Sequence, residues 1–184
     1  MSRSRRLAHW LAALICCGLA LAIIVQAGLP QRSKIARGSS TAAVPAVGRP
    51  APIFQLPGLT GETISLLRDG TAFTLLYFWS TTCAPCRKEM PALNDLYASE
   101  PLRILAVNMG ESANRVRAWV DQLGLRYPAL LDPALAVARA YQIRGLPSAF
   151  LIDAEYRIVR VYFGPVSIEQ LRRDIAGVAR HAQG

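Results

Sequence analysis

An α/β fold with three layers is predicted for most of this chain, and three features of the sequence predict it. Apolar runs of strand length occupy residues 73–79, 104–108 and 149–153, and unbroken apolar runs are typical of strands that are buried on both faces. Stretches with apolar residues at helical spacing separate or follow these runs. Strands that alternate with helices form a sheet covered by helices, which is an α/β/α sandwich.

The apolar segment from Leu7 to Leu29 is predicted to be a transmembrane anchor. Its polar residues are His9 and Gln26, and at ~1.5 Å per residue a helix of this length crosses the ~30 Å hydrocarbon core of a bilayer. Three arginines precede the segment, so residues 1–6 are expected in the cytoplasm and the following domain across the membrane. The alternative is a cleaved signal peptide, which would export the same domain.

The composition after this segment separates a linker from a folded domain. Residues 30–47 are rich in Pro, Ser, Ala and Gly, which predicts a flexible linker, and residues 48–184 are predicted to form one domain.

The formal net charge is +9, but six of the 21 basic residues flank the apolar segment, and the other 15 accompany all 12 acidic residues, leaving +3. This balance argues against nucleic-acid binding, whereas the basic flanks suit lipid phosphates.

A hairpin and two helices complete the predicted domain. Residues 157–163 follow a polar turn and are rich in β-forming residues, so they are expected to pair as a hairpin with residues 149–153. Ser167 is predicted to cap the last helix. The apolar residues at helical spacing are Val116, Trp119, Val120 and Leu123 in one helix, and Ile168, Leu171, Ile175 and Val178 in the other.

The four cysteines fall into two kinds. Two lie inside the apolar segment, Cys16 and Cys17, whereas Cys83 and Cys86 are the only cysteines of the domain. A structural zinc site needs about four Cys or His ligands, and His181 is the only histidine of the domain, so no metal is expected. A structural disulfide is the alternative. Because a bridge across so short a loop constrains the unfolded chain little, redox chemistry is favoured.

The position of Cys83 predicts a reactive thiol. Cys83 follows a buried strand and begins a helix, and Pro85 fits the first helical turn, where its missing N–H is not needed. A thiolate at a helix N-terminus is stabilised by ~0.3–1 kcal/mol, and by up to ~2 kcal/mol when it is partly buried. Cys83 is therefore predicted to be the nucleophile and Cys86 the resolving thiol that breaks a mixed disulfide. Arg87 and Lys88 either add positive potential or are solvated surface charges.

Four motifs, in order along the chain, resemble the TlpA/ResA branch of the thioredoxin superfamily, which includes the thiol reductants of cytochrome c maturation. The resemblance covers about residues 48–179. It implies a thioredoxin fold with a mixed sheet and an N-terminal β-hairpin extension, and a redox-active Cys83–Cys86 disulfide in place of a bound cofactor. The motifs are Gly-Arg-Pro-Ala-Pro-Ile-Phe-Gln-Leu-Pro-Gly-Leu (48–59), Phe-Trp-Ser-Thr-Thr-Cys-Ala-Pro-Cys-Arg-Lys-Glu-Met-Pro (78–91), Leu-Ala-Val-Asn-Met-Gly-Glu-Ser (105–112) and Gly-Leu-Pro-Ser-Ala-Phe-Leu-Ile-Asp (145–153).

The resemblance also implies roles for single residues. Pro147 is expected to follow a cis peptide bond against the cysteines, where the Leu146 backbone docks a substrate strand; the alternative is a trans proline at a strand start. Glu89 is expected to transfer a proton as the thiols cycle, and the alternative is a surface ion pair. Pro85 and Trp79 are expected to shape the substrate-binding surface, although Trp79 could equally fill the core.

The resulting hypothesis is a protein-disulfide reductase with a single span in the inner membrane and its catalytic domain in the periplasm or an equivalent extracytoplasmic space. Its expected partners are disulfides of exported proteins, such as apocytochrome c, and a thiol electron donor in the inner membrane. Two alternatives stay open. Residues 48–59 also resemble the start of peroxiredoxins, which would make the chain a peroxidase, and a non-catalytic assembly factor would keep the fold without the exchange.

Overall fold

A small antiparallel hairpin opens the domain in the computed structural model, which describes residues 45–67 and 72–181. Its strands are β1 (Gln55–Pro57) and β2 (Thr63–Ser65). Gly61 lies in the connecting turn with φ +91°, a backbone conformation that glycine adopts readily. The N-terminal hairpin extension expected from the resemblance is therefore confirmed.

A mixed five-stranded sheet forms the centre of the domain, with strand order β5-β4-β3-β6-β7. Strands β3, β4 and β5 run parallel, and β6 runs antiparallel to both of its neighbours. The three predicted strands and the predicted hairpin are confirmed, with β4 longer than expected. The strands are β3 (Phe73–Trp79), β4 (Leu102–Met109), β5 (Ala129–Asp132), β6 (Ser148–Asp153) and β7 (Ile158–Phe163).

Four helices accompany the sheet within the residues that the structure describes. The predicted cap of the last helix is confirmed, because the Gln170 N–H donates to Ser167 Oγ at 3.2 Å. The second helix ends at Gly124, whose left-handed backbone (φ 60°) is the usual glycine C-cap. The helices are α1 (Ala84–Ser99), α2 (Ala113–Leu123), α3 (Ala136–Ala140) and α4 (Ile168–His181).

The two faces of the sheet are covered unequally. Every residue of β3 is buried, and alternate side chains of this strand point to opposite faces. Leu75 and Tyr77 pack with the apolar sides of α1, α2 and α4. Leu76 and Phe78 pack with α3 and with apolar residues in and around the β1–β2 hairpin. The predicted three-layer arrangement is thus present, with a thin layer on the second face.

The predicted transmembrane segment, residues 7–29, lies outside the described residues, as do Cys16, Cys17 and most of the predicted linker. Within residues 45–67 and 72–181, no helix combines the length and apolarity needed to cross a membrane. The turn at Gly48 contacts the edge of the sheet, because the Gly48 N–H donates to the Ile158 carbonyl at 2.7 Å.

Candidate active site

A disulfide between Cys83 and Cys86 lies where β3 leads into α1. The S–S distance is 2.01 Å and the Cα–Cα distance is 5.3 Å. Cys83 is the N-cap of α1, and its Sγ accepts a hydrogen bond from the Cys86 N–H at 3.2 Å. Pro85 lies in the first turn, as predicted. The sulfur pair therefore lies at the positive end of the helix dipole.

The two cysteines differ in exposure. Cys83 keeps 8% of its surface exposed, whereas Cys86 is completely buried. A disulfide that approaches from solvent therefore meets Cys83 first. Pro85, Arg87 and Lys88 are exposed on the surrounding surface of α1, so a docking protein would contact these side chains as it reaches the sulfur.

The loop before β6 brings Pro147 to the same end of the sheet. The Leu146–Pro147 peptide bond is cis, as predicted. The next residue, Ser148, pairs with Phe78 near the end of β3, which places this loop close to the cysteine pair. Leu146 and Pro147 line a cleft of about 660 Å³ together with Phe163, whose side chain is unusually exposed for its size at 78%. The cleft offers an apolar surface beside the reactive end of the domain.

Glu89 lies in a second cleft, of about 720 Å³, which Pro85 also lines. The Tyr77 hydroxyl donates to Glu89 Oε2 at 3.1 Å, and the Val166 N–H donates to Oε1 at 3.0 Å. Burial raises the pKa of Glu89, and the two hydrogen bonds offset this rise only in part. A carboxyl group with a raised pKa can hold and release a proton closer to neutral pH. No ion pair of Glu89 with a basic side chain occurs in the part of the chain that the structure describes.

Tyr77 belongs to this arrangement, although it was not predicted as a site residue. It is 1% exposed, and burial together with the nearby Glu89 raises the pKa of Tyr77, so its hydroxyl stays protonated and remains a donor. In the sequence, Tyr77 is one of seven residues in a buried apolar strand, and nothing there separates it from its core neighbours.

Glu111 was also missed as a site residue, and it holds the loop before Cys83. Its Oε2 accepts the Thr81 N–H at 2.8 Å and its Oε1 accepts the Thr81 hydroxyl at 2.5 Å. Asn108 completes the group, with Nδ2 donating to Glu111 Oε2 at 2.7 Å. Burial acts to raise the pKa of Glu111, but the hydrogen bonds from Asn108 and Thr81 outweigh it, and the pKa lies below the usual value.

The position of Trp79 in the structure contradicts its predicted role at the docking surface. Its side chain is completely buried and stacks on Trp119, with ring centroids 4.7 Å apart. The prediction that Trp79 shapes the docking surface is wrong, because the last residue of β3 points into the core beneath the site. The core-filling alternative describes it. Its indole Nε1 is buried and has no hydrogen-bond acceptor among the described residues.

The site is built from sulfur and carboxyl groups. Within the described ranges, no group of three or more His, Cys, Asp or Glu side chains could hold a metal ion. The chemistry that this arrangement supports is exchange between the Cys83–Cys86 pair and an external disulfide. It defines the class of protein, a thiol-disulfide oxidoreductase of thioredoxin fold.

Comparison with known proteins gives the family. The chain belongs to the AhpC/TSA family, whose profile matches residues 47–161, and within it to the ResA-like proteins. Thiol-disulfide oxidoreductase ResA of Geobacillus thermodenitrificans is 34% identical over 136 residues, covering 72% of this chain and 78% of that protein. ResA of a Bacillus cereus strain is 30% identical over 174 residues, covering 93% of this chain and 95% of that protein.

A solved structure agrees with these relatives. The crystal structure of a thiol:disulfide interchange protein of the thioredoxin family from Chlorobium tepidum TLS superposes with a TM-score of 0.62 and 26% identity. The superposition covers 72% of this chain and 98% of that chain. The resemblance stated from the motifs is confirmed.

Proposed function

We propose that this protein is a membrane-anchored reductant that opens disulfides in exported proteins on the extracytoplasmic side of the inner membrane. The observation that carries the proposal is the asymmetry of the cysteine pair. Cys83 keeps 8% of its surface exposed, whereas Cys86 is completely buried and lies three residues before Glu89 in α1. A buried thiol needs a proton acceptor before it can attack, and Glu89 provides one.

The reaction begins with the reduced pair. The Cys83 thiolate attacks one sulfur of the substrate disulfide, the substrate S–S bond breaks, and the first substrate sulfur leaves as a thiolate that takes up a proton. Cys86 then loses its proton to Glu89 and attacks Cys83 Sγ, which releases the second substrate sulfur. The substrate has gained two electrons, and the enzyme ends as the Cys83–Cys86 disulfide seen in the structure.

Substrate docking is assigned to the two clefts beside the cysteines. The backbone of Leu146, next to Pro147 in the first cleft, is proposed to pair with an extended substrate segment, and Pro85 is proposed to contact the substrate from the second cleft. The exposed Phe163 adds apolar surface to the first cleft. Extended segments suit this role because main-chain pairing gives affinity without a demand for one sequence.

The partners follow from the resemblance to the TlpA/ResA branch. An apocytochrome c before haem attachment is the proposed substrate, and a thiol electron donor in the inner membrane is proposed to restore the dithiol. Residues 7–29 are proposed to keep the domain at the membrane, where it meets both partners. Deletion of residues 1–29 should move the protein from the membrane fraction to the soluble fraction. An intact chain that is soluble from the outset would contradict the anchor.

The reduction potential of the full-length protein tests the direction of exchange. Thioredoxin lies at about −270 mV and the oxidant DsbA at about −120 mV. Equilibration with defined ratios of reduced to oxidised glutathione or dithiothreitol should place the Cys83–Cys86 pair near the thioredoxin end. A potential near that of DsbA would make the protein an oxidant.

Trapping tests the nucleophile and the substrate class together. The Cys86→Ala variant should accumulate mixed disulfides through Cys83, because the resolving thiol is absent. The matched control is Cys83→Ala, which should form none. Trapped complexes that contain exported proteins with paired cysteines support the proposal. If both variants trap the same amount of mixed disulfide, Cys83 is not the nucleophile.

A peroxidase is the alternative function that the match to the AhpC/TSA family leaves to be tested. A Cys86→Ser protein retains Cys83 as its sole domain thiol, so peroxidatic chemistry on Cys83 would persist in it. Rapid turnover of hydrogen peroxide by this variant with an added thiol would favour the peroxidase. Slow turnover together with lost disulfide reduction favours the reductase.

A further inference from the structure

We propose that Glu111 is a positioning residue for the exchange reaction, which keeps Cys83 at the start of α1 when the disulfide is open. The proposal rests on contacts between three segments that are distant in the sequence. These are the loop before Cys83, the end of β4 and the first residues after it.

The first contact joins Glu111 to the loop that carries Cys83. Both carboxylate oxygens bind one residue, Thr81, through its N–H at 2.8 Å and its hydroxyl at 2.5 Å. The backbone and the side chain of Thr81 are therefore both fixed. Two residues later, the Cys83 N–H donates to the Ser80 carbonyl at 3.1 Å, which closes the loop as a tight turn.

The second contact joins Glu111 to the rigid part of the fold. Asn108 is completely buried at the end of β4, where it pairs with Trp79 of β3. Asn108 Nδ2 donates to Glu111 Oε2 at 2.7 Å, and Asn108 Oδ1 accepts the Glu111 N–H at 3.2 Å. This reciprocal pair fixes the carboxylate on the sheet. Arg115 adds an exposed ion pair at 3.7 Å, which contributes little.

The protonation state of Glu111 supports this role. Its hydrogen bonds hold the pKa below the usual value for a glutamate, despite partial burial. Both oxygens therefore remain acceptors at neutral pH, where exchange takes place, and hydrogen bonds to an ionised carboxylate are stronger than neutral ones.

The positioning matters most in the reduced state. In the oxidised protein the S–S bond itself ties Cys83 to α1, but this bond is absent when Cys83 attacks. The loop before Cys83 is partly exposed, with Thr82 open to solvent, so core packing does not hold it. Attack on a disulfide requires an aligned sulfur, and a displacement of ~1 Å can slow a reaction by up to ~10²-fold.

The test measures the intrinsic reactivity of Cys83. Full-length protein carrying Cys16→Ala, Cys17→Ala and Cys86→Ala has Cys83 as its only thiol. The rate of reaction with 5,5′-dithiobis(2-nitrobenzoate) is followed against pH, which separates the titration midpoint of the thiol from the plateau rate constant of the thiolate. Into this background are placed Glu111→Ala, Glu111→Gln and a matched control, Glu155→Gln, from the exposed β6–β7 turn.

We expect the plateau rate constant of Glu111→Ala to fall by about tenfold. Glu111→Gln should recover most of it, because its amide oxygen can still accept the Thr81 N–H, and the control should match the parent. A plateau that is unchanged in Glu111→Ala while the unfolding midpoint falls would make Glu111 purely structural. If the plateau is unchanged but the titration midpoint of the Cys83 thiol shifts to lower pH, then only the negative charge of Glu111 acts on Cys83. Either result overturns the proposal.

A second pair of variants keeps the test decisive if Glu111→Ala does not fold. Thr81→Val removes the hydroxyl and retains the N–H, and it should lower the plateau roughly threefold. Thr81→Ser retains both donors and should match the parent. Equal plateau rates for Thr81→Val and the parent would overturn the proposal.

Discussion

Removal of the Tyr77 hydroxyl should destabilise the domain by an amount that depends on pH. In the Tyr77→Phe variant, Glu89 loses the donor to its Oε2, which lies 3.1 Å from the Tyr77 oxygen. The Val166 N–H still binds Oε1 at 3.0 Å. Tyr77 is 1% exposed, so water does not readily replace the lost hydroxyl.

The magnitude follows from the charge of the acceptor. A hydrogen bond to an ionised group contributes ~1.5–3 kcal/mol, and a bond between neutral groups contributes ~0.5–1.5 kcal/mol. Tyr77→Phe should therefore lower the free energy of unfolding by ~0.5–1.5 kcal/mol while Glu89 is protonated. The loss should grow to ~1.5–3 kcal/mol once Glu89 is ionised.

The direction of the pH effect follows from the pKa of Glu89. Burial raises this pKa above the unfolded value, so the stability that the carboxyl group contributes is present at low pH and is lost as the pH rises through the folded pKa. Without the Tyr77 donor, the pKa of Glu89 rises further. The loss of stability then continues to a higher pH in the variant than in the parent, and the difference between the two proteins widens in that interval.

Urea unfolding of the oxidised protein at several pH values between 4 and 8 measures this difference. With urea m-values of ~1–3 kcal/mol per molar, the gap between the midpoints should widen by roughly half a molar. The matched control is Tyr141→Phe, because the Tyr141 hydroxyl is also buried but donates to the neutral Pro52 carbonyl at 2.9 Å. Its effect should be the same at every pH. A Tyr77→Phe effect that is equally flat would refute the hydrogen bond to an ionisable Glu89.

Two further predictions concern the framework around the site. Ser167→Ala removes the side-chain oxygen that accepts the Gln170 N–H, and it should lower the free energy of unfolding by ~1 kcal/mol. Ser167→Asn keeps an acceptor and should lose only a fraction of this. Urea unfolding measures both losses, and a larger loss in Ser167→Asn than in Ser167→Ala would contradict the cap. Trp119→Ala removes the ring stacked on Trp79 and should cost about 3–5 kcal/mol in the same assay, and a loss under ~1 kcal/mol would mean that this stack is not part of the core.

The sequence predicts the central strands well because burial on both faces requires apolar side chains at nearly every position. The bounds of β3 match the apolar run at 73–79. The prediction for β4 began two residues late, because Arg103 interrupts the apolar pattern near its start. The structure shows why an arginine fits there: its guanidinium donates to the carbonyls of Leu66 and Ser65 at 3.0 and 2.7 Å.

Strand β5 and helix α3 were not predicted. Strand β5 has four residues and α3 has five, and neither is long enough to show a periodic pattern. Helix α3 depends on Asp132 at the end of β5, whose buried carboxylate accepts the N–H groups of Ala136 and Ala138 at 2.8 Å each. A single capping side chain of this kind carries little signal in a sequence.

The residues of the candidate site also divide into those that the sequence could predict and those that it could not. The Cys83–Cys86 pair at the start of α1 and the cis bond before Pro147 could be predicted, because short motifs and the rules for helix starts indicate them. Glu111 was not predicted, because its partner Thr81 is thirty residues away and only the parallel pairing of β3 with β4 brings the two together. The prediction that Trp79 shapes the docking surface was wrong for a related reason. The sequence shows that Trp79 is close to the cysteines, but it does not show whether a side chain at a strand end points outward or into the core.

Strand β7 has a consequence for how molecules of this protein behave at high local concentration. It forms an edge of the sheet, and within the described residues its outer side pairs only at its start, where Ile158 exchanges hydrogen bonds with Gly48 and Arg49. Its pairing with β6 is broken by a register shift, and Arg160, still 43% exposed, is tied to Asp174 on α4. Irregular and charged edges of this kind resist strand pairing between molecules. The β7 edge is therefore expected to resist pairing with the sheet of a second copy when molecules are crowded together.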